Sequence, residues 1–307
     1  MRLGRRDALW AALLYAAALA ARMVLLHAPP YGDESGHYAI SRTLGIWGDD
    51  VAVAGGKAFD LSPWVAGRPA FAILYAPGAW GGFTAFRLEA ILVASLVPVL
   101  GFAWLRNNGA SLPVAAAAGL ALALHPSMVV WGARAFPDPL MAALFLGGLV
   151  AEQLGRRPLS NALLLLACLA KETAVPAVAA LAIAKVLEAR RLQRPPRAAI
   201  QLAGVAGCGV AVDAAAYLYA GGLPGWARGG NGLLGLETAL WSTWLLVPAF
   251  AGLAWPRTRM AAAPLTGLAG FYGAFILVRH GTPQAWYCVL PLALGILVTA
   301  QLVSDSL

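Results

Sequence analysis

The sequence predicts an all-α fold, a polytopic membrane bundle of about ten transmembrane helices with surface helices in a long first outer loop. Three observations predict it. Of 307 residues, 60% are hydrophobic and only 12% are charged, with a mean hydropathy of +0.71, whereas soluble domains carry charge on roughly a quarter of their residues. The apolar residues fall in long, nearly uncharged runs, several of a length that crosses hydrocarbon. Most of the 22 Lys and Arg residues lie in short loops at alternate ends of these runs, which assigns an inner face. The net charge of +8 is therefore mainly topological and points to no nucleic-acid partner. Cys168, Cys208 and Cys288 all sit in apolar segments, so neither a disulfide nor a metal site is indicated.

The basic start Arg2, Arg5, Arg6 precedes a first span, Ala8 to Leu26. Ala18-Leu19-Ala20-Ala21 resembles a signal-peptide cleavage site, but the run continues past it, which favours an uncleaved span. Residues 27–86 are read as an outer loop, opened by Pro29-Pro30. It holds an amphipathic piece from Tyr38 to Trp47, a polar Gly-rich middle, and an apolar stretch broken by Pro77 that is expected to lie along the membrane surface. Span two runs from near Arg87 to Trp104, and span three from Pro113 to Val130, interrupted at His125-Pro126. The outer turn Arg134 to Pro139 leads to span four, Leu140 to Leu154.

Leu159 to Glu188 is one apolar stretch with Lys171-Glu172 in its middle. A charge pair at mid-depth is costly, so two short spans meeting at an outer cavity, Leu159 to Ala170 and Thr173 to Leu187, are favoured over a single crossing. Span seven, Ile200 to Tyr219, contains Asp213, either a cavity contact or an interhelical hydrogen bond. An outer loop with Trp226 and Arg228 precedes span eight, Leu236 to Trp255. Span nine, Ala261 to Val278, leads out to Arg279-His280, and span ten, Tyr287 to Val303, returns. Both termini are expected to be cytoplasmic, and residues 1–307 to form a single membrane-embedded domain without a C-terminal soluble domain.

The chemistry is expected at Asp33-Glu34, adjacent carboxylates just outside the first span. A partly buried carboxylate whose ionisation is kept by a neighbouring cation serves as a general base. The alternative is that Asp33 caps a helix starting at Glu34, with Glu34 favoured by the helix dipole. The outer cations depart from the positive-inside bias and are candidates for function; the alternative for Arg68 and Arg279 is snorkelling to the interface. No zinc motif, P-loop or dinucleotide fingerprint is found, so no particular cofactor is indicated; a divalent cation stays open without being indicated.

Asp33-Glu34 with Tyr38 following, Arg68-Pro69 before a surface helix, Gly81-Gly82-Phe83 leading to Arg87-Leu88, Asp138 opening span four, the Lys171-Glu172 break and the outer Arg279 together resemble the GT-C superfamily of integral-membrane glycosyltransferases. The likeness is to its protein O-mannosyltransferase and lipid A aminoarabinose transferase branches. Two departures stand out: the Pro-Pro expected at the surface helix is Arg68-Pro69 here, and many relatives have more spans or a further soluble domain.

The resemblance implies an inverting glycosyltransferase in a prokaryotic cell membrane, active on the outer face, that moves a sugar from a polyprenyl-phosphate donor to an acceptor hydroxyl on a protein, glycan or lipid. Acceptor recognition would come from loops or from a membrane partner subunit. In this reading Asp33 and Glu34 are the catalytic residues, Asp33 as the base and Glu34 orienting the site or a bound acceptor. Arg68, Lys171, Arg279 and His280 bind the donor phosphate, since a departing phosphate needs charge neutralisation more than a proton donor. Tyr38, Asp138, Glu172 and Arg228 bind substrate, with Asp138 alternatively a helix cap. Two other readings remain: a lipid or solute transporter or flippase, which also places charges at broken helices, and a non-catalytic scaffold of a glycosylation complex.

Overall fold

The computed structural model describes residues 4–31, 33–43, 51–54, 57–60, 68–219, 247–279 and 289–306, without the side chains of 43, 51–54, 57–60, 213, 216–219 and 273–279. Helices cover Arg5–Met23, Glu34–Thr43, Pro69–Leu74, Ala76–Trp80, Phe83–Ala94, Leu96–Asn107, Leu112–Leu124, Pro126–Gly132, Pro137–Gln153, Arg157–Ala170, Ala174–Arg191, Arg197–Tyr219, Arg259–Arg279 and Val289–Ser306. Residues 247–254 are also helical. The chain is thus helical where apolar runs predict it. Two helical stretches are long and apolar enough to cross a membrane, Phe83–Asn107 and Val289–Ser306, or three if the bent pair Leu112–Leu124 and Pro126–Gly132 is one span; these are counts among the described residues.

One departure from an all-α chain is a two-stranded antiparallel ribbon, Val51–Ala54 against Lys57–Asp60, in register Val51 to Asp60 and Ala54 to Lys57. From sequence this stretch is the polar, Gly-rich middle of the outer loop. Its short β-branched and aromatic runs, separated by the pair Gly55-Gly56, carry a hairpin signal.

The breaks have local causes. Pro126 lacks an N–H, and the Ser127 N–H donates to His125 Nδ1 at 3.2 Å instead of continuing the helix, so the two helices meet at a 54° bend. The Ala123 carbonyl left at that break accepts from Arg22 Nη1 at 3.3 Å, and Arg22 also donates to the Ala18 carbonyl at 2.9 Å. A buried cation at a helix C-terminus is favourably placed against the helix dipole. At the opposite end of the bundle, Gly109 (φ 87°) and Gly155 (φ 72°) take the left-handed conformation. Each lets the next N–H reach back, Ala110 to the Leu105 carbonyl at 3.0 Å and Arg156 to the Ala151 carbonyl at 2.9 Å, which closes the preceding helix.

Pro137–Gln153 is the central helix, packed against Arg157–Ala170, Leu96–Asn107, Phe83–Ala94 and Val289–Ser306. It is buried on nearly every side, as expected of a helix that is apolar all round. Ion pairs mark its two ends. Asp138 meets Lys171 at one end, and Glu152 meets Lys185, 3.4 Å away, at the other. The 14-residue helix Arg157–Ala170, which starts beside the Glu152 end and stops beside Asp138, therefore runs antiparallel to the central helix, and Ala174–Arg191 returns. At about 21 Å it is shorter than the roughly 30 Å hydrocarbon core.

Small residues set the close approaches. A Cβ added to Gly267 would lie 2.6 Å from both the Pro176 carbonyl oxygen and the Ala180 Cβ, whereas one on Gly204 meets nothing within 4 Å. Gly267→Ala is expected to destabilise by about 1–3 kcal/mol through overpacking. Gly204→Ala should stabilise by up to about 1 kcal/mol through helix propensity. Thermal unfolding of the two variants in one detergent checks the opposite signs.

Candidate active site

At the Asp138 end of the bundle, charged side chains converge from five segments distant in sequence. The organising contact is Glu34, fully buried in the first turn of the Glu34–Thr43 helix. Its two oxygens take a bidentate grip from Arg87, Nε to Oε1 at 2.8 Å and Nη2 to Oε2 at 2.7 Å. The Ala135 N–H donates to Oε1 at 3.1 Å, the Tyr31 N–H to Oε2 at 3.3 Å, and Arg134 Nη1 to Oε2 at 3.4 Å. Arg87 Nη1 in turn donates to the carbonyls of Leu26, at 2.9 Å, and Ala28. Arg134 Nη1 also donates to the Pro29 carbonyl. With its lone pairs occupied in this way, Glu34 orients the site by holding backbone and cations together and is not placed to take a substrate proton.

Asp33 is in a different state. Its carbonyl accepts the first helical bond, from the His37 N–H at 2.9 Å. Its carboxylate, partly exposed, makes no hydrogen bond to the described residues, so the side-chain cap is not formed among them. Burial raises its pKa above the ordinary carboxylate value, while Arg68 and Lys171 pull against that shift. A raised proton affinity opposed by two nearby cations is the combination a general base requires.

The cations around it are held by the chain. Arg68 directly precedes Pro69, at the start of the Pro69–Leu74 helix, and a residue before proline is kept out of the helical conformation. Its Nη1 lies 3.0 Å from His37 Nε2, and its Nε is 3.6 Å from Glu172 Oε2. Lys171 ends the Arg157–Ala170 helix in an extended conformation and is buried, with Nζ 2.7 and 2.6 Å from the two Asp138 oxygens. Lys171 and Asp138 thus neutralise each other. Asp138, expected to hold a sugar hydroxyl or an arginine or to cap its helix, is the partner of a lysine.

Tyr38 packs edge-on against Phe83 and Phe86, with centroids 5.4 and 5.5 Å away, and its hydroxyl is 3.5 Å from Arg42 Nη1. It faces this aromatic cluster. The surface helices expected after Arg68 are present, but Phe71 and Tyr75 on them are fully buried, so they form a lid over the helix ends. Arg228 and His280 lie outside the described residues. Arg279 ends its helix, but its side chain is also outside them, as is that of Asp213.

Three contributors were given no role from sequence. Arg87 and Arg134 organise Glu34, and their signal was available: both are outer cations against the positive-inside trend. His37 is one helical turn after Asp33 and shares its face. Among the described residues there is no group of three or more His, Cys, Asp or Glu placed to hold a metal ion. No family model, curated protein or solved structure matches the chain.

The contrast between the two acids is measurable. Glu34→Gln turns an amide N–H toward Arg87 and leaves a buried guanidinium without its counter-ion, so it is expected to cost about 3–5 kcal/mol. Asp33→Asn should stay within about 1 kcal/mol of the parent. Thermal unfolding of the two variants checks both values.

Proposed function

We propose that the chain is an inverting membrane glycosyltransferase of GT-C type, with ten spans and both termini inside, that transfers a sugar from a polyprenyl-phosphate donor to an acceptor hydroxyl on the outer face. The observation that carries this reading is the isolation of Asp33. Glu34, Asp138 and Glu172 each have a cation partner and Glu89 accepts the Gly78 N–H at 2.8 Å, whereas the Asp33 carboxylate has neither hydrogen bond nor ion pair among the described residues yet lies within the field of Arg68 and Lys171. An unpaired carboxylate beside cations suits a site where a base and an anionic leaving group work a few ångströms apart.

In this mechanism Asp33 accepts the proton of the acceptor hydroxyl as its oxygen attacks the anomeric carbon. The bond from that carbon to the phosphate oxygen breaks on the opposite side of the sugar, and the configuration inverts. The lipid phosphate departs as an anion, neutralised by Arg68 together with Arg279 and His280 in the roles the resemblance implies, while the Lys171–Asp138 pair fixes the floor. Sidedness is supported by segregation of charge. Asp7 pairs with Arg106 and Arg257 with Asp305, linking residues the sequence places inside, and Glu34, Arg87, Arg134, Arg68 and Lys171 gather among those it places outside. A flippase would share the buried pair at a broken helix, but has no use for a carboxylate poised as a base.

Asp33→Asn should lower transfer by about 10²-fold or more while leaving donor binding near the parent's; Arg68→Ala should first weaken donor affinity. Transfer by the parent should fall with decreasing pH as Asp33 is protonated, above the ordinary carboxylate value of 3.8. Sugar release from polyprenyl-phosphate donors, with a thermal-shift control, measures all three. Full turnover by Asp33→Asn removes Asp33 from catalysis. In a cysteine-free background, single cysteines at Thr84 and Arg194 are expected to label from opposite faces; labelling of both from one side refutes the topology.

A further inference from the structure

His37 is fully buried, edge-on to Phe71 at 5.2 Å and to Phe136 at 5.3 Å. A guanidinium has only donors, so the 3.0 Å contact between Arg68 Nη1 and His37 Nε2 requires Nε2 to accept. The ring is then neutral, with its proton on Nδ1, and the Ala135 backbone lies within electrostatic reach of the ring. Ala135 is the residue whose N–H is held by Glu34. The charged groups that act on the ring are Arg68, from the segment before the lid, and Lys171, from the helix break; Glu172 and Asp138 are the partners of these two cations, and Asp33 and Glu34 lie at the start of the histidine's own helix.

We propose that His37 is the positioning residue for Arg68: as a neutral imidazole it fixes the guanidinium together with Glu172, and protonation of the ring releases Arg68 and with it the donor phosphate. The donor part rests on the glycosyltransferase reading; the His37–Arg68 contact does not. Replacing the acceptor lone pair with an N–H sets two donors and two positive charges against each other inside an aromatic cage. Burial first, then Arg68 and Lys171, hold the ring's pKa well below the ordinary histidine value of 6.5. The sign follows from that direction. The ring is neutral at neutral pH, and the contact is lost as pH falls through the depressed pKa. Protonation of Asp33 over an adjoining acid range removes a negative charge beside the phosphate and so acts on affinity in the opposite direction.

The test uses the full chain in detergent and mannosyl phosphoryl decaprenol as the probe, a phosphodiester whose charge is constant over the range. Parent affinity should hold at neutral pH and fall in the acid range. His37→Gln, which keeps an acceptor but cannot titrate, should stay within about threefold of the parent at neutral pH and lose the acid fall. His37→Leu should bind about tenfold more weakly, the worth of one hydrogen bond to a charged group, and add nothing to Arg68→Ala in the double variant. Parent-like binding by His37→Leu, or an unchanged acid fall in His37→Gln, overturns the proposal and leaves the transferase reading standing. A parent that binds no donor overturns the transferase reading and the donor part of the proposal. The contact itself is read without donor, by C2-hydrogen exchange at His37 followed by mass spectrometry. The exchange midpoint should lie below the ordinary histidine value and rise in Arg68→Gln; an unmoved midpoint overturns the contact. If His37→Leu does not fold, His37→Gln and the exchange midpoint decide the question.

Discussion

The bidentate pair between Glu34 and Arg87, closed off from solvent, is the contact on which the Asp138 end of the bundle depends. It joins the first loop, through the Leu26 and Ala28 carbonyls, to the start of the Phe83–Ala94 helix and to the Ala135 peptide. Burying two charges is expensive, and such pairs often add little net stability against an apolar replacement. Its consequence is geometric: the two charges must stay together, so the segments carrying them are held in one arrangement. Asp33, adjacent in sequence, inherits its position from that constraint.

The remaining charges at this end divide by burial. Lys171 and Asp138 are fully enclosed and satisfy each other, which makes them part of the scaffold. Arg68 and Glu172 keep some exposure, 16% and 13% of their side chains, at a looser 3.6 Å. A separation of that size leaves room for rearrangement, because the partner of a partly solvated guanidinium can be exchanged at modest cost, whereas a buried one cannot. Rigid and exchangeable pairs side by side give a site with a fixed floor and an adjustable wall.

The bundle below uses the packing expected of helices in an apolar solvent, where close approach and internal hydrogen bonding replace the hydrophobic drive. Gly267 against Pro176 and Ala180 is one such approach. Arg22 at the Ala123 carbonyl is the polar counterpart: where the Ser127 N–H turns to His125 at the bend, a side chain from another helix supplies the donor.

The sequence by itself determined where the helices lie and where they stop. Apolar runs, His125-Pro126 and the interruption at Lys171-Glu172-Thr173 act over a few residues, and helix formation responds to such local signals. The helix that starts at Glu34 was also legible, because an acid in the first turn is a local signal. Only the tertiary structure decided which cation meets which carboxylate. Arg87 with Glu34, Lys171 with Asp138, and Arg68 between His37 and Glu172 are pairs from remote segments, and several cations of the same type were available to each acid. Charge alone is non-directional and does not choose among them; the choice is made by which helix ends packing brings together, at distances where a buried charge cannot be left unpaired.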